Sequence, residues 1–93
     1  MNTIYKYQLR VADIQSIRIP KGANILTVQT QNGTPCLWAL VDTDQPFEQR
    51  SFYIVGTGNQ FWLDKNKVKF ISTFQLTLPG GIFVGHVFEE IVG

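Results

Sequence analysis

Residues 24–42 read NILTVQTQNGTPCLWALVD, and the dipeptide near the centre decides the fold class. Asn32-Gly33 lies between two runs rich in β-formers. A two-residue type I′ turn needs positive φ at both central positions, which Asn and Gly adopt most readily. The stretch therefore predicts a hairpin with arms at Asn24–Gln31 and Thr34–Asp42. In the first arm Leu26, Val28 and Thr30 alternate with Ile25, Thr27, Gln29 and Gln31, as in a strand wet on one side. In the second, Cys36, Trp38 and Leu40 share one face, and Leu37, Ala39 and Val41 the other. Both faces are apolar, so this arm reads as a central strand with Trp38 in the core and a cover on each side, either another sheet or another subunit.

The flanking sequence continues the pattern. Thr3–Arg10 reads as a half-exposed strand, with Lys6, Gln8 and Arg10 on its polar face. Ile14–Ile19 is a second, stopped by Pro20, which lacks a donor, and followed by a Lys21-Gly22 turn. Asp42 to Arg50, polar and containing Pro46, reads as a loop with room for a short helical turn between Asp44 and Arg50. Ser51–Val55 is a strand closed by Gly56-Thr57-Gly58-Asn59. Val68–Leu78 is a long strand with Val68, Phe70, Ser72, Phe74, Leu76 and Leu78 on the core side, and Pro79-Gly80-Gly81 turns it into Ile82–Glu89. Seven strands and no sustained helical period predict an all-β single domain over residues 1–93, mainly an antiparallel meander, curled into a small barrel or a two-layer sandwich.

Composition agrees. Eight Val, nine Ile and eight Thr accompany seven Phe, three Tyr and two Trp in 93 residues, a bias towards sheet. A chain this short buries roughly 60–65% of its unfolded surface, enough for one core and at most a shallow site. The formal charge of +1 argues against global steering of a polyanion. The longest large-apolar run, Leu37–Val41, is far short of the ~20 residues of a membrane span. The start, Met1-Asn2-Thr3-Ile4-Tyr5-Lys6-Tyr7, has no secretory h-region, so the expected location is the cytoplasm. One cysteine, Cys36, makes neither an intrachain disulfide nor a four-cysteine zinc site. Stability must come from packing, packing between copies of a homo-oligomer included, and no cofactor motif is present.

Ile4-Tyr5-Lys6-Tyr7, Ile19-Pro20-Lys21-Gly22-Ala23, Pro35 to Thr43, Gly56-Thr57-Gly58, Thr73-Phe74-Gln75 and His86-Val87-Phe88-Glu89 together resemble a family of small proteins of bacteriophages, prophages and bacterial genomes that has no assigned activity. The similarity spans nearly the whole chain, with Phe61–Lys69 departing from the acidic, proline-containing loop of the family. The resemblance implies a phage or prophage setting. By analogy of setting and size it implies a protein that acts by binding, either blocking a host defence protein or sequestering its nucleotide signal.

Candidate sites are few, and each has a bland counterpart. His86, the sole histidine, could serve as a general base, but no G-x-S-x-G elbow or ordered triad accompanies it, so a hydrogen-bonded structural role is the simpler expectation. Asp42-Thr43-Asp44 lacks the remaining acids of a calcium loop and reads as loop solvation. Glu89 and Glu90 face opposite ways on a strand and read as solubilising charges. Lys65, Lys67 and Lys69 alternate, so a strand would show all three on one face beside Phe61, Trp62 and Phe70. That suits single-stranded nucleic acid or a nucleotide, and equally an edge strand guarded against aggregation. Gly56, Gly58 and Asn59 form a tight turn whose amides could approach a phosphate. Trp62 and Phe47, aromatic residues in polar loops, read as partner anchors. The sequence thus points to a non-catalytic binding protein using Phe47, Gly56, Gly58, Asn59, Trp62, Lys65, Lys67 and Lys69, with a host protein or a small nucleotide-like ligand as partner. The alternatives are a single-stranded nucleic-acid-binding module, a small enzyme using His86, or a virion or assembly component.

Overall fold

In the structure, a computed structural model describing residues 1–91, Asn32 and Gly33 take φ values of 52° and 77°. They close the hairpin between β3 (Asn24–Gln31) and β4 (Thr34–Asp42), with Gln31 opposite Thr34. β1 (Asn2–Gln8) pairs with the other side of β4, giving a three-stranded sheet in the order β1-β4-β3. β2 (Ile14–Pro20), β5 (Phe47–Gly56), β6 (Val68–Leu78) and β7 (Gly81–Glu90) form a second sheet in the order β2-β5-β7-β6. Every pairing is antiparallel. Neither sheet closes on itself, so the all-β fold is a two-layer sandwich and not a barrel.

The core lies between the layers. Leu37, Ala39 and Val41 of β4 and Val28 of β3 face Ile17 and Ile19 of β2, Phe52 and Ile54 of β5, Val87 of β7, and Phe74 and Leu76 of β6. One side of the sandwich is laced shut where β3 runs along β6. There Thr30 Oγ1 donates to the Gln75 carbonyl (2.6 Å) and Ser72 Oγ to the Val28 carbonyl (2.8 Å). β1, on the opposite side, stands largely outside the contacts between layers.

Both strands of the laced side carry a β-bulge, between Ile25 and Thr27 and between Phe70 and Ser72. An extra residue flips the alternation of a strand. Ile25 therefore packs on the core with Val28, while Leu26, expected beside Val28, is 45% exposed. Likewise Phe70, expected in the core with Phe74, pairs with Phe88 and is 56% exposed.

Three further expectations are corrected. The stretch from Asp42 to Arg50 is neither a long loop nor helical: after a turn at Asp42–Gln45, β5 starts at Phe47, because Pro20 and Ile19 offer Phe47 and Glu48 a partner strand. β1 stops at Gln8, where Leu9 turns into the core and the Gln15 side chain holds both the Arg10 N–H (3.0 Å) and its carbonyl (2.8 Å). β4 is dry on one face only; on the other Cys36 is buried, Trp38 half-buried and Leu40 41% exposed. Among the described residues there is no helix, and so none long and apolar enough to cross a membrane.

Candidate functional site

The outer face of the four-stranded sheet carries the chain's aromatic surface. Strand alternation turns Tyr53 of β5 and Phe88 of β7 outward, since the neighbours Phe52 and Val87 belong to the core. The segment between β5 and β6 folds back over them. Trp62 meets Tyr53 edge to face at 5.6 Å between centroids, and Phe61 meets Phe88 at 5.2 Å. Phe70, thrown outward by its bulge, also meets Phe88, at 5.6 Å. Edge-to-face contacts of this kind contribute about 0.5–1.5 kcal/mol each beyond area, which braces the rings. Phe61, Trp62 and Phe70 nevertheless stay 41%, 51% and 56% exposed.

The turn that launches this segment is built for closeness. The Asn59 N–H donates to the Gly56 carbonyl and the Thr57 N–H to the Val84 carbonyl, both at 3.1 Å. Gly58 has φ +85°, and a side chain on Gly56 would strike the Asn59 amide at 2.8 Å. Two amides of the turn are therefore committed within the chain. Its role in the geometry is to direct the following residues across Tyr53.

The lysines are not arranged as expected. β6 begins only at Val68, so Lys65 and Lys67 lie in a turn closed by Lys67 N–H to the Asp64 carbonyl and by Asn66 N–H to Asp64 Oδ1, both at 2.9 Å. Only Lys69 is on the strand, opposite Glu89. The three do not form one basic face. Phe47 is likewise on a strand, not in a loop. Its ring lies under the Arg18 guanidinium, 4.1 Å from the centroid, and six residues of strand place it about 20 Å from Tyr53.

His86 stands on the same outer face, with Thr57 Oγ1 2.7 Å from Nε2 and Thr73 Oγ1 2.8 Å from Nδ1. A hydroxyl both donates and accepts, so the two threonines satisfy a neutral imidazole completely. Such a ring ties the start of the aromatic segment to β6 and leaves no lone pair directed at a substrate.

A second cluster was missed by sequence reasoning. Glu89, read as a solubilising charge, is 4% exposed on the inner face. Its carboxylate takes Arg50 through Nε–Oε2 and Nη2–Oε1 contacts, while Arg50 Nη1 donates to the Ala23 carbonyl. Glu48, Arg50, Lys69, Glu89 and Glu90 line a cleft of 340 Å³. The legible signal was the alternation of Glu48 and Arg50 with Phe52 and Ile54, once the strand is extended backward to Phe47. Asp42 and Asp44 both bind the amino group of Met1, at 3.1 and 2.9 Å. Among the described residues no group of three or more His, Cys, Asp or Glu is arranged to hold a metal ion.

A family model described as a domain of unknown function (DUF7352) matches residues 1–92. The chain belongs to this family. The match takes in all seven strands and the aromatic segment between β5 and β6. No curated protein and no solved structure matches the chain.

Proposed function

We propose that the protein is a non-catalytic binding domain whose contact surface is the aromatic outer face of the four-stranded sheet. The observation that carries this reading is the state of Phe61, Trp62 and Phe70. They are held in place by Tyr53 and Phe88 yet remain about half exposed, outside a core that is already filled. Rigid aromatic anchors of this sort dominate binding energy at protein interfaces. The shape favours a protein over a nucleotide-like ligand. Small-molecule sites are concave and mostly apolar, whereas the 340 Å³ cleft has five charged residues beside Gln49 and Ile91 in its lining and includes none of these rings. Given the phage or prophage setting that the resemblance implies, the partner is a host protein occluded in the bacterial cytoplasm.

The test compares wild type with Trp62→Ala and Phe61→Ala in affinity capture from host lysate, alongside thermal melts. One partner retained by wild type and lost by both variants, with melting temperatures lowered by only a few degrees, is the expected result. Equal retention by all three proteins overturns the reading.

A second reading is favoured by Lys65 and Lys67, which follow Trp62 within one turn. Stacking aromatics beside cations suit single-stranded nucleic acid. That reading requires affinity that falls steeply with salt, and salt-insensitive binding rejects it.

A further inference from the structure

We infer that the protein forms a two-fold symmetric dimer by antiparallel pairing of β1 with β1 of a second copy, joining the two three-stranded sheets into one. This goes beyond the aromatic-face reading and uses the opposite layer.

Four strands lie at sheet edges, and three of them are guarded. β3 and β6 carry bulges and are laced to each other by Thr30 and Ser72. β2 ends in Pro20, which cannot donate to an added strand. These are the usual devices against edge-to-edge addition. β1 has no bulge and no proline, and its one charge leans away: Lys6 Nζ reaches across β4 to Gln31 Oε1 at 2.7 Å.

The hydrogen-bond phase of this edge is defined. The Thr43 N–H donates to the Met1 carbonyl and the Leu9 N–H to the Pro35 carbonyl, both at 2.9 Å. In an antiparallel pair, residues alternate in facing the partner strand. Met1, Thr3, Tyr5, Tyr7 and Leu9 therefore face β4, and Asn2, Ile4, Lys6 and Gln8 direct their N–H and C=O groups to the open side. A two-fold axis through Tyr5 sets Ile4 against Lys6 and Asn2 against Gln8 of the other copy. All four outward residues are then paired. Tyr5 meets the second copy's Tyr5 as a close, non-hydrogen-bonded pair.

The occupant is a second copy because side chains and charge both match under that axis. Tyr5 shares the inner face with Ala39, but the opposite layer does not cover β1, and the ring is 37% exposed beside Tyr7. Aromatic pairs directly opposite each other stabilise antiparallel strands. Along the strand, Arg10 follows one end, while Asp42 and Asp44 flank the other and outnumber the Met1 amine they bind. Antiparallel addition brings the positive end of each copy to the negative end of its mate; parallel addition would stack like ends. A two-fold pairing also closes, so it yields a dimer and no fibre.

Sedimentation velocity over a concentration series should show a monomer–dimer equilibrium, with hydrogen exchange at the dimer end protecting the amides of Ile4, Lys6 and Gln8. Tyr5→Cys should oxidise to a covalent dimer, because Cα atoms about 4.5 Å apart in such a pair suit a disulfide and buried Cys36 does not compete. Ile4→Pro deletes an outward donor that β4 does not use, and should raise the dissociation constant at least tenfold while leaving the circular dichroism spectrum unchanged. A protein monomeric at every concentration overturns the inference. So does a dimer whose Ile4, Lys6 and Gln8 amides exchange as fast as exposed ones, or whose Tyr5→Cys form does not cross-link.

Discussion

Arg50 and Glu89 are a two-pronged ion pair on the inner face of the sandwich, with Nη2 and Oε1 3.0 Å apart and side chains only 17% and 6% exposed. The pair sits diagonally across β5 and β7, since Glu89 is in register with Phe52. Arg50→Ala leaves the Glu89 carboxylate buried without its counter-ion, a loss that typically costs about 3–5 kcal/mol, a large share of the roughly 5–15 kcal/mol that holds a small domain together; Glu89→Ala leaves Arg50 with Glu48 alone, 3.9 Å away. Arg50→Ala should lower the unfolding free energy obtained from urea denaturation by that scale, and Glu89→Ala by less. The double change Arg50→Met with Glu89→Leu should recover most of the loss. A midpoint unmoved by either single change would show that water reaches the pair freely.

Gly85 tests the packing beneath the ring pair of β6 and β7. Phe74 and Phe83 stand 6.1 Å apart, and a Cβ on Gly85 would lie 2.7 Å from Phe74 Cζ and 2.9 Å from Phe83 Cε2. Overpacking a filled core costs about 1–3 kcal/mol. Gly85→Ala should therefore destabilise by that amount, measured by chemical denaturation. Adding Phe83→Leu, which shortens one of the two rings, should restore part of it.

How much of this was legible follows from the range of each cause. The β3–β4 hairpin was readable because Asn32-Gly33 specifies its own turn. β6 and β7 were readable from Pro79-Gly80-Gly81 between two alternating runs. The bulges at Leu26 and Ile71 were not, because they answer to the fit of β3 on β6 and not to local preference, and with them the outward turn of Phe70 was lost. The strand from Phe47 to Arg50 depends on pairing with β2, about thirty residues earlier. Glu89 looked solvated because its partner Arg50 is 39 residues away. Of the candidate site, Trp62 was legible as an aromatic in a polar segment. Its bracing by Tyr53 and the separation of Phe47 from it were not.

Asp42 gives a signed pH dependence. The Asp44 backbone N–H on Oδ1 (3.1 Å), followed by the chain's amino group and the Gln45 amide, holds its carboxyl below the ordinary value of 3.8. A folded value below the unfolded one means stability that is present above about pH 4 and lost as pH falls through the folded value. NMR titration should show Asp42 among the last carboxylates to protonate. Asp42→Asn should flatten the acid limb of the stability profile; a carboxyl titrating at its ordinary value would remove this contribution.

The two tryptophans allow the aromatic face to be followed directly. Trp38 is half-buried on the outer face of the three-stranded sheet, whereas Trp62 is 51% exposed over Tyr53. Trp38→Phe thus leaves an indole that reports on the proposed contact surface alone, and Trp62→Phe leaves one that does not. In the free protein, acrylamide should quench the Trp62 signal more strongly than the Trp38 signal. Stability should separate in the same way. Trp62→Ala removes a partly solvated ring and should cost about 1 kcal/mol, the scale of one edge-to-face pair. Phe52→Ala, at a fully buried position, should cost about 3–5 kcal/mol. If the outer face is where a partner sits, its addition should shift Trp62 emission to the blue and lower its quenching while Trp38 is unaffected. The reverse pattern would move the contact surface to the three-stranded sheet.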